Sequence, residues 1–148
     1  MIRAFFQDKF EYDFNANIQW FECIENQEDN ISDFTKKSMS HVINVHYIWN
    51  CRLRGIKPES GDWDLLPIHY YQRFIQQNYQ ETIDYLEKIE LGEKINYHSS
   101  EGVKFTKKDI DILYHILNHS NYHRAQIVMD LKSLDLKTPS FNFITYRL

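Results

Sequence analysis

DILYHILNHSNYHRAQIVMDL, residues 111–131, sets His115, His119 and His123 four residues apart. Positions at that spacing lie one above the other on one face of a helix. Two imidazoles so placed can grip one metal ion and leave other coordination positions free. An ion can bridge His115 and His119, or His119 and His123. It cannot take all three, because eight residues of straight helix span about 12 Å. The spacing leaves the choice of pair open. A bare H-x-x-x-H also arises by chance, and its histidines then simply bond a neighbour or meet solvent.

The third imidazole must come from elsewhere, and His41 in SHVINVHYIWNCRL (residues 40–53) is the best donor. It lies between Met39 and Val42, in line with Val45 and Ile48, on the apolar side of its helix. A buried neutral imidazole needs a partner for each ring nitrogen. A backbone carbonyl could satisfy it, and so could a metal on one nitrogen with an acceptor on the other. His46 points roughly 140° away around the same helix, which makes it pocket lining or an outer support. His69 and His98 read as exposed.

Outward from these segments, the chain divides into four helical stretches. Residues 3–26 place Phe6, Phe10, Phe14, Ile18, Phe21 and Ile24 at three- and four-residue steps. Ser32 caps a second helix that carries Phe34, Met39, Val42, Val45, Ile48, Trp49 and Leu53 and stops at Gly55. Residues 57–67 read as a loop anchored by Trp63, Leu65 and Leu66. Pro67 then opens a third helix to about Ile89. Alternation in residues 95–98 and 103–106 around 99–102 predicts a short β-hairpin. Thr106–Asp109 reads as an Asp variant of the capping box opening the last helix, which runs to about Leu134. The tail, KTPSFNFITYRL (residues 137–148), is apolar enough to pack back. The expected fold is all-α: one four-helix bundle over residues 1–148, with a hairpin or extended insert before the last helix. Its long links predict at least one crossover connection.

Composition narrows the function. Only four Gly and three Pro in 148 residues suit long helices, and 16% aromatic content predicts a ring-rich core. A net charge of −4 without a basic run argues against a nucleic-acid partner. The acid-bearing start MIRAFFQDKFEYDF is not expected to act as a signal peptide, and no apolar stretch approaches the roughly 20 residues needed to span a bilayer. Cys23 and Cys51 stand apart without a CxxC pattern, so the expected setting is the reducing cytoplasm.

With FEYDFNANIQWF (residues 10–21), SHVINVHYIWNCRL (residues 40–53) and HILNHSNYHRAQI (residues 115–127), nearly the whole chain resembles the DinB/YfiT superfamily of metalloenzyme-like four-helix bundles. The second segment resembles its pattern of a histidine followed eight residues later by an aromatic and then Arg-Leu. The third resembles its signature of a histidine, three residues, then His-Arg-Gly-Gln and a hydrophobic residue. The resemblance implies His41, His119 and His123 as metal ligands and a non-ligand role for His115. Ala125 stands where the signature usually has Gly. What the resemblance further implies is a divalent ion, zinc or nickel first and iron or copper after them. It also implies a thiol-dependent S-transferase-type activity that uses a low-molecular-weight thiol on small electrophiles. A small-molecule substrate and a homodimer are the expected partners. Ser120 stands where a metallopeptidase HExxH would put its glutamate, so peptide hydrolysis is not expected. Arg124 orients an anionic group if it faces the site, and otherwise makes a surface salt bridge. The competing readings are a non-catalytic metal-binding bundle connected with damage or stress, and a metal-free bundle whose aromatic faces dimerise.

Overall fold

The computed structural model describes residues 1–146 and holds four helices: α1 (Ile2–Glu25), α2 (Asp33–Leu53), α3 (Tyr71–Lys88) and α4 (Asp109–Ser133). A two-stranded antiparallel hairpin, β1 (Lys94–His98) with β2 (Lys104–Lys108), precedes α4. The predicted all-α bundle with a hairpin insert is the observed fold. Several boundaries have local causes. The Ser32 side chain accepts from the Thr35 N–H at 3.2 Å, which starts α2. At the other end Gly55 takes a left-handed φ of 69°, and the Ile56 N–H reaches back to the Cys51 carbonyl at 2.8 Å. That is a Schellman stop.

Two expectations need correction. Thr106 does not cap α4: it lies in β2, where its hydroxyl bonds Asn96, because strand pairing persists to Lys108. The helix start is held instead by buried Asp109, which accepts from the N–H of Ile110 and of Gly92 and from the Tyr85 hydroxyl. A carboxylate there also meets the positive end of the helix dipole. Pro67 does not begin the third helix either. A short 3-10 turn, Ile68–Tyr70, intervenes before α3.

Cross-helix pairs give the directions. Ser40 meets Tyr71, Ile43 and Asn50 meet Asn78, and Arg54 meets Glu81, so α2 and α3 run parallel. Thr35 meets Asp130 and His41 meets His119, so α2 and α4 run antiparallel. α1 packs on α3 and α4, leaving α1/α2 and α3/α4 as the diagonals. Parallel neighbours need a crossover, and residues 54–70 supply it. They carry the chain back along a helix about 30 Å long, which takes them over the outer side of α2. The predicted crossover is thus located.

The core has two apolar ends. One holds Trp20, Phe21, Ile24, Met39, Tyr71, Ile75, Ile127 and Leu131, and the other Phe6, Phe10, Leu53, Tyr85, Leu86, Ile112, Leu113 and Ile116. Between them lies a buried polar belt with members from every helix: Asp13 and Asn17, His46 and Asn50, Asn78 and Thr82, Ser120 and Arg124. Asp13, Asn17 and Arg124 bond one another, as do His46, Asn50, Asn78 and Thr82, and among the described residues no buried side-chain N or O lacks a partner. The tail packs back as expected, with Phe141 stacked on Tyr12 at 5.3 Å; its last two residues, Arg147 and Leu148, lie outside the described residues. Cys23 and Cys51 are both free thiols.

A candidate metal centre

His41, His119 and His123 converge. One ring nitrogen of each lies within 4.8 Å of those of the others, and the Nε2 atoms of His41 and His119 are 3.0 Å apart. The antiparallel packing of α2 on α4 makes this possible, because it faces one turn of α2 toward two successive turns of α4. His41 is buried, whereas His119 and His123 are half-buried.

Hydrogen bonds orient the rings. The Nδ1 of His41 lies 2.8 Å from the carbonyl oxygen of Asp62, which can only accept. The proton therefore sits on Nδ1, and the Nε2 lone pair points into the cluster. The Nδ1 of His123 meets Gln126 Oε1 at 3.1 Å, which likewise frees its Nε2. Such outer acceptors fix ligand imidazoles at metal sites. Two nitrogens bound at about 2.0–2.1 Å to one ion lie about 2.9–3.4 Å apart for angles of roughly 90–109°. The 3.0 Å between His41 and His119 falls within that range, and with His123 the cluster could hold one ion.

Electrostatics keeps the two donors on α4 neutral. Burial, then the neighbouring His123, His41 and His115, pushes the His119 pKa down to about 3. His123 is also lowered, by burial and by His41. Neutral imidazoles offer lone pairs at any ordinary pH. The three-histidine cluster contains no carboxylate, so an ion there keeps its full charge. With three protein donors, a fourth position stays open.

The site opens on a cleft of about 1060 Å³. The crossover segment walls one side and the hairpin the other, with His41, Trp49, Arg52, His115 and His119 along its floor. Trp63 lies flat on His41, with ring centroids 3.7 Å apart and planes 8° from parallel, while 53% of it stays exposed. The expected anchor of this loop is therefore a cover for the histidine. Leu65, 63% exposed, anchors nothing. Asp62, Trp63 and Gln126 are site residues that sequence reasoning missed. The aromatic character of Trp63 and the place of Gln126 in the family signature were the available signals, whereas the Asp62 backbone carbonyl leaves none.

Three other residues find their places. His115 lines the cleft, edge-on to Trp49 at 5.4 Å, and stands outside the cluster. His46 is neither pocket lining nor a support of the site. It is buried beside Phe10, with its Nε2 2.8 Å from the Thr82 hydroxyl. Arg124 does not face the cleft and makes no surface bridge. Its Nη1 donates to Asp13 Oδ1 at 2.6 Å and to Asn17 Oδ1 at 2.7 Å, tying α4 to α1 on the side away from α2.

Among the described residues no helix is long and apolar enough to cross a membrane. Comparison with curated proteins finds no match. The DinB family model matches residues 20–147, a span that takes in all three convergent histidines and most of the chain, and the protein belongs to the DinB family.

Proposed function

We propose that this chain is a metal-dependent enzyme of thiol-dependent S-transferase type, acting on small electrophiles with His41, His119 and His123 as its metal ligands. The observation that carries the reading is a cluster of three imidazoles, two of which, His41 and His119, line an open cleft and are not sealed in the core. A divalent ion held there, zinc or nickel first and iron or copper after them, supplies a Lewis acid strong enough to deprotonate a coordinated low-molecular-weight thiol at neutral pH. His41 and His123 hold their donor nitrogens in place through Asp62 and Gln126. Trp63 screens His41 from bulk water, and the cleft has room for a thiol and a second small molecule. Ser120 is buried and turned from the cleft, so no general base flanks His119 in the manner of a metallopeptidase.

The test is a thiol-conjugation assay with zinc- or nickel-loaded protein and a small chromogenic electrophile. The reading predicts metal-dependent turnover that His119→Ala abolishes. Equal rates for wild type and variant eliminate it.

The whole chain acts here as one unit in the cytoplasm, a setting that its two free thiols suit. A homodimer is supported by the outer face of α4, which leaves Tyr114, Tyr122 and Met129 59–67% exposed. The competing reading is a non-catalytic, stress-related bundle whose ion clamps α2 to α4. The same cross-helix placement of the ligands favours it, and it predicts strong thermal stabilisation by metal without turnover.

A further inference from the structure

Arg52 stands on the same face of α2 as His41, since eleven residues make three turns plus about 20°. Val45 and Ile48, both nearly buried, lie between them, and all four line the cleft. The guanidinium packs on two rings: its carbon lies 4.5 Å from the Trp49 ring and 4.7 Å from the Tyr97 ring, and those rings stand edge-to-face 5.0 Å apart, so they meet it from one side. Neither ring offers its N–H groups a carboxylate or carbonyl acceptor. One N–H reaches the His98 carbonyl at 3.4 Å, and Arg52 makes no ion pair among the described residues. Asp62 on the opposite wall contributes a distant attraction without pairing. Partial burial lowers the pKa of Arg52, yet an arginine stays charged at any physiological pH. A flat cation, packed on one side against two rings and short of acceptors, matches a planar or tetrahedral oxyanion.

We infer that Arg52 is an anion-binding subsite, and that the molecule occupying the cleft carries a carboxylate or phosphate at one end. An apolar stretch then runs along Val45 and Ile48, and the opposite end is presented to His41, His119 and His123. The span is about 16 Å along α2. The placement of that second end rests on the metal-dependent reading above, whereas the anion subsite does not. Arg52 is thus a specificity-determining residue that favours elongated anionic molecules over neutral ones of the same length.

The test uses full-length, metal-free protein, so that no ion competes for the probe. The Arg52 Nε–H resonance is followed by NMR during titration with hexanoate, with uncharged hexanamide and with inorganic phosphate. Saturable shifts with hexanoate, at an affinity at least about tenfold above that for hexanamide, are expected; so is loss of that preference in Arg52→Gln. Arg52→Lys, which keeps the charge and the contact with Trp49, should retain part of it. Saturation by phosphate alone assigns the subsite to a phosphoryl group, and saturation by hexanoate alone assigns it to a carboxylate. Equal binding of hexanoate and hexanamide, an unmoved Arg52 resonance, or a preference that survives in Arg52→Gln overturns the inference. A separate zinc titration of the wild type tests the metal reading, and its failure leaves the anion result standing.

Discussion

Replacing Arg124 by methionine should cost about 3 kcal/mol of stability and leave metal binding untouched. Arg124 is 3% exposed and Asp13 2%, and their 2.6 Å contact is backed by Asn17. Without the guanidinium, Asp13 remains as a buried carboxylate with the Asn17 amide at 3.2 Å as its remaining side-chain donor. Breaking a buried pair on one side typically costs about 3–5 kcal/mol, because the orphaned charge cannot be hydrated. The intact pair, by contrast, adds little over an apolar replacement. Asp13→Leu alone should therefore cost a similar amount, and the double variant Asp13→Leu/Arg124→Met much less than the sum, with a coupling of about 2–3 kcal/mol. Urea unfolding of the four proteins measures this directly, and a single-variant loss of about 3 kcal/mol lowers the melting temperature by about 10 °C. Zinc affinity of folded Arg124→Met should match the wild type, because the guanidinium faces α1 and not α2. A loss below about 0.5 kcal/mol, strict additivity, or a large drop in zinc affinity would refute the reasoning.

Acid should destabilise the protein partly through His46, whose pKa burial pushes down to about 4. The unfolded imidazole takes a proton near pH 6.5 and the folded one only near 4, so stability falls as pH drops across that window, by up to about 3 kcal/mol; His46→Gln should flatten the slope in denaturant midpoints measured against pH. Ser32→Ala removes the cap of α2 and a hydroxyl bonded to Asp130, and should cost about 1 kcal/mol in urea unfolding; a loss within error would show that the cap contributes nothing. Trp63→Ala should leave stability within about 1 kcal/mol while weakening zinc about tenfold, measured by competition with a chromophoric chelator. Unchanged affinity would mean that the stack does not orient His41.

The helices were legible because their apolar residues recur at helical steps and their ends carry local signals, Ser32 at the start of α2 and Gly55 at its stop. His41 and the run of His115, His119 and His123 were legible for the same reason, each standing at a definite angle on a predicted helix, but spacing left the pair on α4 open and only the family resemblance pointed to His119 with His123. What pairs across the fold was not. Arg124 finds Asp13 111 residues away, and nothing local marks Asp13 as buried. His46 reads as polar lining until α1 and α3 are seen to enclose it. The cover of the site comes from a crossover loop whose path follows from α2 and α3 being parallel, which no local pattern encodes. Thr106 shows the limit from the other side. Its sequence fits a capping box, but the Asp109 N–H that it would cap goes to the Glu93 carbonyl at 2.9 Å.

Titration of metal-free protein with cobalt(II), read by its visible absorption alongside calorimetry with zinc, tests most directly whether three imidazoles share one ion. One ion per chain is predicted, with a spectrum of nitrogen ligation, and His41→Ala, His119→Ala and His123→Ala should each weaken binding by at least about tenfold while His115→Ala does not. No stoichiometric binding by the wild type, or binding that survives loss of His41, would contradict the account.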